Sequence, residues 1–188
     1  GKVFGSKFFY FFNFVAFNIY RLLGSTKKNT IVPEFLLLHE KYLPEYNYLF
    51  KPKGFLTIQP FFNDKNPFDK IEEVVLLCQK FNLLPIWCPI KKYKKFNKKP
   101  LDFGGNGYSL VIEFSPYELG PEKTKKFVLE LEKMIINQDG QIYLAKDHIV
   151  SKYSFQKMYP DHKKFLNLKN KYDKDNIFIS EQFNRLFN

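Results

Sequence analysis

The chain has 188 residues, which is enough for one ordinary domain with a single core. Its net charge of +11 favours anionic partners, although an AT-rich genome would produce the same excess of lysine. Arg21 and Arg185 are the only arginines, and base-specific DNA readout relies on arginine, so sequence-specific DNA binding is disfavoured.

Cysteine and histidine usage argues against a disulfide framework and against a metal site. Neither Cys78 nor Cys88 lies in a paired-cysteine motif, and His39, His148 and His162 lack ligand spacing. We therefore expect a reduced, intracellular protein with no metal. No secretory signal is visible, and we expect the natural protein to extend upstream of the first residue.

The N-terminal third is dominated by aromatic residues. Residues 7–23 form an aromatic run with helical spacing, too short and too interrupted by Asn and Arg for a membrane span. The pattern predicts a helix that packs on a partner domain or lies on a membrane surface. Residues 33–53 read as irregular, so residues 1–53 are predicted to lead into a core domain at residues 54–188.

The core domain begins with a strand, a helix and a second strand. Residues 54–62 predict the first strand, and Asn66 followed by Pro67 predicts the start of the first helix. Residues 84–90 predict a second strand, restricted to a sheet edge by its two prolines. Residues 91–99 are lysine-rich and predict a flexible basic loop.

The second half repeats the alternation of strand and helix. Residues 108–114 predict a third strand, and Gly120-Pro121 opens a helix that Asp139-Gly140 ends, with glycine in the C′ place. Residues 141–146 predict a fourth strand carrying Lys146 near its end, on the face opposite to Tyr143. Ser151 caps a short helix, and Pro160 opens another.

The order of these elements is β-α-β-β-α-β, which predicts an α+β fold with a ferredoxin-like split βαβ sheet and two helices on one face. Its other face must be covered by the N-terminal helix, the C-terminal helices or a further domain. The chain has no Gly-x-Gly-x-x-Gly or Walker loop, and residues 104–107 precede a strand, so these glycines indicate a turn.

A family resemblance appears near the C-terminus. The segments Tyr143-Leu144-Ala145-Lys146-Asp147, Met158-Tyr159-Pro160 and Phe178-Ile179-Ser180-Glu181 resemble the C-terminus of FAD-linked oxidases of the vanillyl-alcohol-oxidase type. The decaprenylphosphoryl-ribose oxidase branch is the most similar. Sugar-lactone oxidases end in a His-Trp-Ala-Lys motif, in which Tyr143 and Leu144 here replace the histidine and the tryptophan.

The resemblance implies a two-part flavoenzyme, of which this chain is the substrate domain. Its partner would be its own N-terminal FAD-binding domain, expected to lie outside this chain. The implied cofactor is FAD, and the implied reaction is hydride transfer to flavin from a CH–OH group of a sugar, sugar lactone or sugar-lipid. The chain alone would be catalytically incomplete.

The resemblance also implies roles for six residues. Lys146 would be catalytic, and Tyr143 and Lys146 would contact the cofactor. The substrate-binding positions would be Gln59, Lys91, Ser109 and Val111. Ser109 and Val111 stand where the family has Asn and Cys, which leaves the exact substrate open. Without the resemblance, Lys146 is either a lysine extending from a strand end or a partner for an anion.

The alternative hypothesis is a non-catalytic ferredoxin-like module that binds RNA or anionic lipid through the loop at residues 91–99. Residues 53–55 resemble part of an RNA-binding motif, but the rest of that motif is missing. We favour the oxidase and expect no nucleic-acid partner. The expected location is cytoplasmic or peripheral to a membrane, and contact with a membrane surface is left open.

Overall fold

The computed structural model describes residues 54–63, 65–85, 88–94 and 99–188, together with scattered residues of an N-terminal helix. The chain divides into two compact units, Gly1–Gly54 and Phe55–Asn188. The described residues of the N-terminal helix are Phe11, Phe14, Val15, Asn18, Ile19 and Leu22.

The N-terminal unit is helical at these six positions, as predicted for residues 7–23. The side-chain amide of Asn18 donates to the carbonyl of Phe14 at 2.7 Å, one turn earlier. Phe14 and Leu22 are largely exposed. The predicted irregular segment at residues 33–53 lies outside the described residues. Among the helices that the structure describes, none is both long and apolar enough to cross a bilayer.

The second unit contains short strands and longer helices. Its strands are β1 (Leu56–Ile58), β2 (Pro60–Asn63), β3 (Ile90–Tyr93), β4 (Gly107–Leu110), β5 (Ile112–Phe114) and β6 (Gln141–Ile142). Its helices are α1 (Pro67–Lys80), α2 (Pro116–Leu119), α3 (Pro121–Asn137), α4 (Lys152–Met158), α5 (His162–Tyr172) and α6 (Glu181–Phe187). A 3₁₀ turn spans Leu144–Lys146.

The strands pair antiparallel in the order β3-β4-β2-β6, while β1 pairs with β5. Gln59 separates β1 from β2, and Val111 separates β4 from β5. The α+β class is confirmed, whereas the ferredoxin-like assignment stays a prediction. Gly107 pairs with Asn63, where an added Cβ would lie 2.1 Å from the Phe62 carbonyl oxygen, so only glycine fits.

One face of the strands forms the hydrophobic core with α1 and α3. Phe62, Ile112 and Leu131 are fully buried there, at 0% exposure. Gln59, Ser109 and Glu113 each follow or precede a buried core residue, namely Ile58, Leu110 and Ile112. Because side chains alternate along a strand, these three polar residues project to the opposite face. The core therefore fixes the register that places those polar residues.

Two strand predictions were wrong in their bounds. The second strand starts at Ile90 instead of residue 84, because Pro85 and Pro89 cannot donate to a ladder. Consequently Lys91 and Lys92, predicted to lie in a loop, pair with β4. The fourth strand ends at Ile142, and the chain then turns as a 3₁₀ helix through Lys146.

The helix boundaries were predicted more closely. Pro67 and Pro121 stand in the first turns of α1 and α3, and the Ser151 side chain caps α4 by accepting from Ser154 N at 3.2 Å. At the end of α3, however, the left-handed residue is Asp139, with φ 52°, and not Gly140. A Cβ on Gly140 would lie 2.8 Å from the carbonyl oxygen of Phe61.

Candidate functional site

Polar side chains gather on the side of the strands that faces away from the core. We call this surface the polar face and define it by Gln59, Lys91, Tyr93, Ser109, Val111, Glu113 and Tyr143. Register supports the grouping, because Lys91 lies directly opposite Ser109, and Phe61 lies opposite Ser109 on the other side. Side chains of directly opposed residues project to the same face of a sheet.

Gln59 is the centre of the polar face. Its side-chain amide nitrogen donates to the Tyr93 hydroxyl at 2.8 Å and to Ser109 Oγ at 2.9 Å. Gln59 is only 1% exposed, and its Oε1 has no hydrogen-bond partner among the described residues. Leaving such an atom unpaired typically costs about 1–3 kcal/mol. A buried amide group that is satisfied on one side only is therefore a candidate ligand contact.

The 3₁₀ turn brings Lys146 toward the polar face. Its backbone amide donates to the Tyr143 carbonyl at 3.1 Å, which closes the turn. Burial lowers the pKa of Lys146, the positive charge of Lys91 lowers it further, and Glu113 opposes the shift. The strand-based prediction that Lys146 lies opposite to Tyr143 was wrong, because the turn ends the alternation and puts the ammonium within electrostatic range of two polar-face residues.

Tyr143 is fixed by backbone and by aromatic packing. Its amide donates to the carbonyl of Gln59 at 3.0 Å, extending the β2–β6 ladder by one bond. Its ring lies 4.7 Å from that of Phe103, which also packs edge-on against Phe61 and Tyr93. These four rings form an aromatic cluster beside Gln59, so the Tyr143 ring is held next to the polar centre.

The six residues predicted as site residues are brought together to different degrees. The Gln59 side chain donates to Ser109, and the Gln59 carbonyl accepts from the amide of Tyr143. Lys91 lies opposite Ser109 in the strand pairing. The side chain of Lys146 interacts with the face through its charge. Val111 is 1% exposed, and its amide donates to the carbonyl of Pro89. That bond continues the β3–β4 pairing and gives Val111 a place on the same face.

Sequence reasoning missed three residues of this region: Tyr93, Phe103 and Glu113. Glu113 could have been predicted, because it is two residues after Val111 and four after Ser109, and side chains at this spacing along a strand share a face. Tyr93 was assigned to a flexible loop, and no local signal places Phe103 against Tyr143. Glu113 is 8% exposed, so it is a buried carboxylate, and its charge raises the pKa of Lys146.

Grooves of two kinds are formed by the described residues of the second unit. One of about 700 Å³ is largely apolar and lies between α5, α6 and the loop that joins them. The other, of about 1160 Å³, has Phe61, Tyr93 and Phe103 on its wall. Its rim carries Lys92, Lys94, Lys99 and Lys157. The second groove therefore connects the aromatic cluster with a basic surface.

The described residues offer no group of three His, Cys, Asp or Glu side chains that could hold a metal ion. Burial raises the pKa of the Cys78 thiol to about 12, so this cysteine stays protonated at neutral pH and is a poor nucleophile.

The chain is similar to known oxidases over most of its length. The family model for D-arabinono-1,4-lactone oxidase matches residues 66–186. Decaprenylphosphoryl-beta-D-ribose oxidase of Mycolicibacterium smegmatis is 25% identical over 142 residues, which cover 76% of this chain and 30% of that relative. The chain thus spans less than a third of the relative's length. The resemblance to the FAD-linked oxidases is confirmed, and the chain belongs to the D-arabinono-1,4-lactone oxidase family.

Proposed function

We propose that this chain is the substrate-binding C-terminal part of an FAD-dependent oxidoreductase that oxidises a CH–OH group of a sugar, a sugar lactone or a sugar-lipid. Family membership supports the oxidase activity. Coverage of 30% of the relative's length supports a role as one part of a longer enzyme. The proposed partner is an FAD-binding domain of the same polypeptide, with residues 54–188 forming the substrate domain.

The observation that carries the proposal is the polar centre formed by Gln59, Tyr143 and Lys146. Gln59 has an unpaired buried amide oxygen on the polar face, and the partly buried ammonium of Lys146 lies within electrostatic range of that face. These groups fit the polar edge of a flavin ring together with a sugar hydroxyl, because that pair presents both hydrogen-bond donors and acceptors. Within the described residues, no phosphate-binding loop precedes a helix, so the pyrophosphate of FAD would bind elsewhere.

The chemistry assigned to this chain's residues is positioning and charge stabilisation. When bound, FAD supplies the acceptor for the hydride that leaves the substrate carbon. Lys146 provides a fixed positive charge where negative charge develops, and Tyr143 supplies a phenolic hydrogen bond at the rim. Gln59 holds a substrate hydroxyl through its unpaired amide atom, while Ser109 and Tyr93 fix the amide plane.

The substrate-binding role extends to Lys91, Ser109 and Val111. Lys91 is exposed beside Ser109, so its ammonium is available to an anionic group such as a phosphate. The relative from Mycolicibacterium smegmatis is named for a decaprenylphosphoryl ribose, which joins a sugar, a phosphate and a lipid. A phosphorylated sugar-lipid is consistent with the +11 charge, and a sugar lactone would not use Lys91 in this way.

The test is to express the natural polypeptide with its upstream coding sequence and to record its absorbance spectrum. We expect a bound flavin that is bleached anaerobically by D-arabinono-1,4-lactone or by a prenylphosphoryl ribose. The 188-residue chain alone should bind FAD no tighter than the millimolar range. Micromolar affinity of this chain for FAD would contradict the two-part arrangement. A natural polypeptide without flavin that binds RNA or anionic vesicles would instead support the binding-module alternative.

A further inference from the structure

We propose that Arg185 and Gln182 of α6, together with Asp147, are positioning residues that hold the turn carrying Lys146 against the polar face. This inference rests on the proposed function, because it assigns a purpose to contacts around the lysine proposed to be catalytic. The contacts themselves are structural and involve two regions that are 35 or more residues apart in sequence.

The turn is weakly held by its own residues. Leu144, Ala145 and Lys146 are all at least partly exposed, and of these three only Leu144 packs against the hydrophobic core. Its local backbone bonds are those from Lys146 N to the Tyr143 carbonyl and from Asp147 N to the Leu144 carbonyl, at 3.1 and 3.2 Å. Short 3₁₀ segments have poor hydrogen-bond geometry, so two such bonds do not define one conformation.

Contacts from α6 supply what the turn lacks. The side-chain amide nitrogen of Gln182 donates to the Leu144 carbonyl at 2.6 Å. The guanidinium of Arg185 donates to Asp147 Oδ2 at 2.7 Å and also to the carbonyl of Val150. Helix α6 therefore holds the turn at Leu144, its first residue, and at Asp147, the residue that follows its last.

Asp147 is the link between the lysine and the helix. Its side chain is 1% exposed, and its Oδ1 accepts from the amides of Ile149 and Val150 at 2.8 and 2.7 Å. These three charge-assisted hydrogen bonds hold the buried carboxylate of Asp147 in a single orientation. Because Asp147 follows Lys146 directly, that geometry also sets the direction in which the Lys146 side chain leaves the backbone.

The other side of the turn is fixed by the sheet. Tyr143 N donates to the Gln59 carbonyl, so the residue before the turn is tied to the same residue whose side chain centres the polar face. The turn is thus held between β2 and α6, and displacement of α6 would move Lys146 relative to Gln59. A misplacement of about 1 Å at a reacting centre can reduce a rate about a hundredfold.

The experiment compares Arg185→Gln, Arg185→Lys and Gln182→Leu in the full-length, flavin-loaded enzyme. Stopped-flow reduction with D-arabinono-1,4-lactone or a prenylphosphoryl ribose separates the limiting rate constant from the half-saturating concentration and from the amplitude. We expect Arg185→Gln to lower the rate constant about tenfold or more, with less than a twofold change in half-saturation. Arg185→Lys should recover part of the rate, because lysine keeps the charge but cannot span Asp147 and Val150 together.

Hydrogen exchange of the amides of residues 144–150 gives a readout that does not require activity. We expect faster exchange in Arg185→Gln and Gln182→Leu than in the wild type. The matched control is Lys80→Gln, which breaks the 2.6 Å ion pair between Lys80 of α1 and Glu130 of α3. That control should leave both the exchange of residues 144–150 and the rate constant unchanged.

The outcomes distinguish the possible failures. A general loss of folding would reduce the amplitude of flavin reduction and not its rate constant. If Arg185→Gln fails to fold, Gln182→Leu provides the test of the positioning role, because Gln182 is only partly buried and its replacement should be tolerated. Unchanged exchange and unchanged rate constants in folded variants would overturn the positioning role. Faster exchange with a normal rate constant would also overturn it. If Lys146→Ala itself reduces the flavin at the normal rate, the proposed function fails and not only this inference.

Discussion

The two faces of the central strands both contain buried side chains, but these are of opposite kinds. On the core face, Phe62 and Ile112 are 0% exposed and pack against α1 and α3. On the polar face, Gln59 and Ser109 are 1% and 0% exposed and bond to each other. Apolar burial stabilises the fold, whereas polar burial contributes little to stability even when it is satisfied. We therefore propose that the same strands provide stability on one face and the substrate site on the other.

The largest effect on stability is expected at the core face. Phe62→Ala should lower the free energy of unfolding by about 3–5 kcal/mol, because it leaves a cavity among fully buried side chains. Urea denaturation followed by circular dichroism measures this loss. The flavin-reduction rate constant of the molecules that remain folded should not change. A lower rate constant per folded molecule would mean that the two faces are not independent.

A smaller effect on stability but a clear effect on rate is expected for Gln59→Leu. The substitution removes two hydrogen bonds and one unpaired oxygen, so the free energy of unfolding should change by about 1 kcal/mol or less. The loss of a ligand hydrogen bond should reduce the rate of flavin reduction about tenfold or more. Gln138→Leu is the matched control, because Gln138 also has a buried, unpaired Oε1 but lies at the end of α3.

The smallest effect is a shift in pH dependence for Lys91→Met. Lys91 lowers the pKa of Lys146, so its removal should raise that pKa. In the proposed function the protonated form of Lys146 is the active one, so activity should fall as the pH rises through its pKa. The alkaline limb of the flavin-reduction rate should therefore move to higher pH. Lys92→Met, whose side chain points the other way along β3, should leave the limb in place; equal shifts in both variants would contradict the assignment.

Helices and the α+β class could be predicted because their signals are local. Pro67 and Pro121 mark helix starts, and apolar residues at helical spacing mark the faces of α1 and α3 that enter the core. On the polar face, Ser109 and Val111 were predicted from the family resemblance and not from a local signal. Alternation along β4 and β5 would have added Glu113 without any tertiary information.

The remainder of the site depends on contacts that are distant in sequence. The conformation of Lys146 is set by α6 through the Leu144 carbonyl and Asp147, and no local pattern in residues 141–146 signals a 3₁₀ turn. Tyr93 was missed because lysines around it indicated a loop, whereas pairing with Gly107 makes it part of a strand. Tertiary pairing overrides local preference most readily in such short strands.

The proposal for Lys146 is that it acts in catalysis and does not stabilise the fold. Its most direct test is stopped-flow flavin reduction in the full-length Lys146→Ala enzyme, with exposed Lys123→Ala on α3 as the control. We expect about a hundredfold slower reduction in Lys146→Ala, because about 3 kcal/mol of charge stabilisation is lost, with the free energy of unfolding unchanged or slightly higher. A normal reduction rate in Lys146→Ala, matching that of Lys123→Ala, would instead make Lys146 a structural residue.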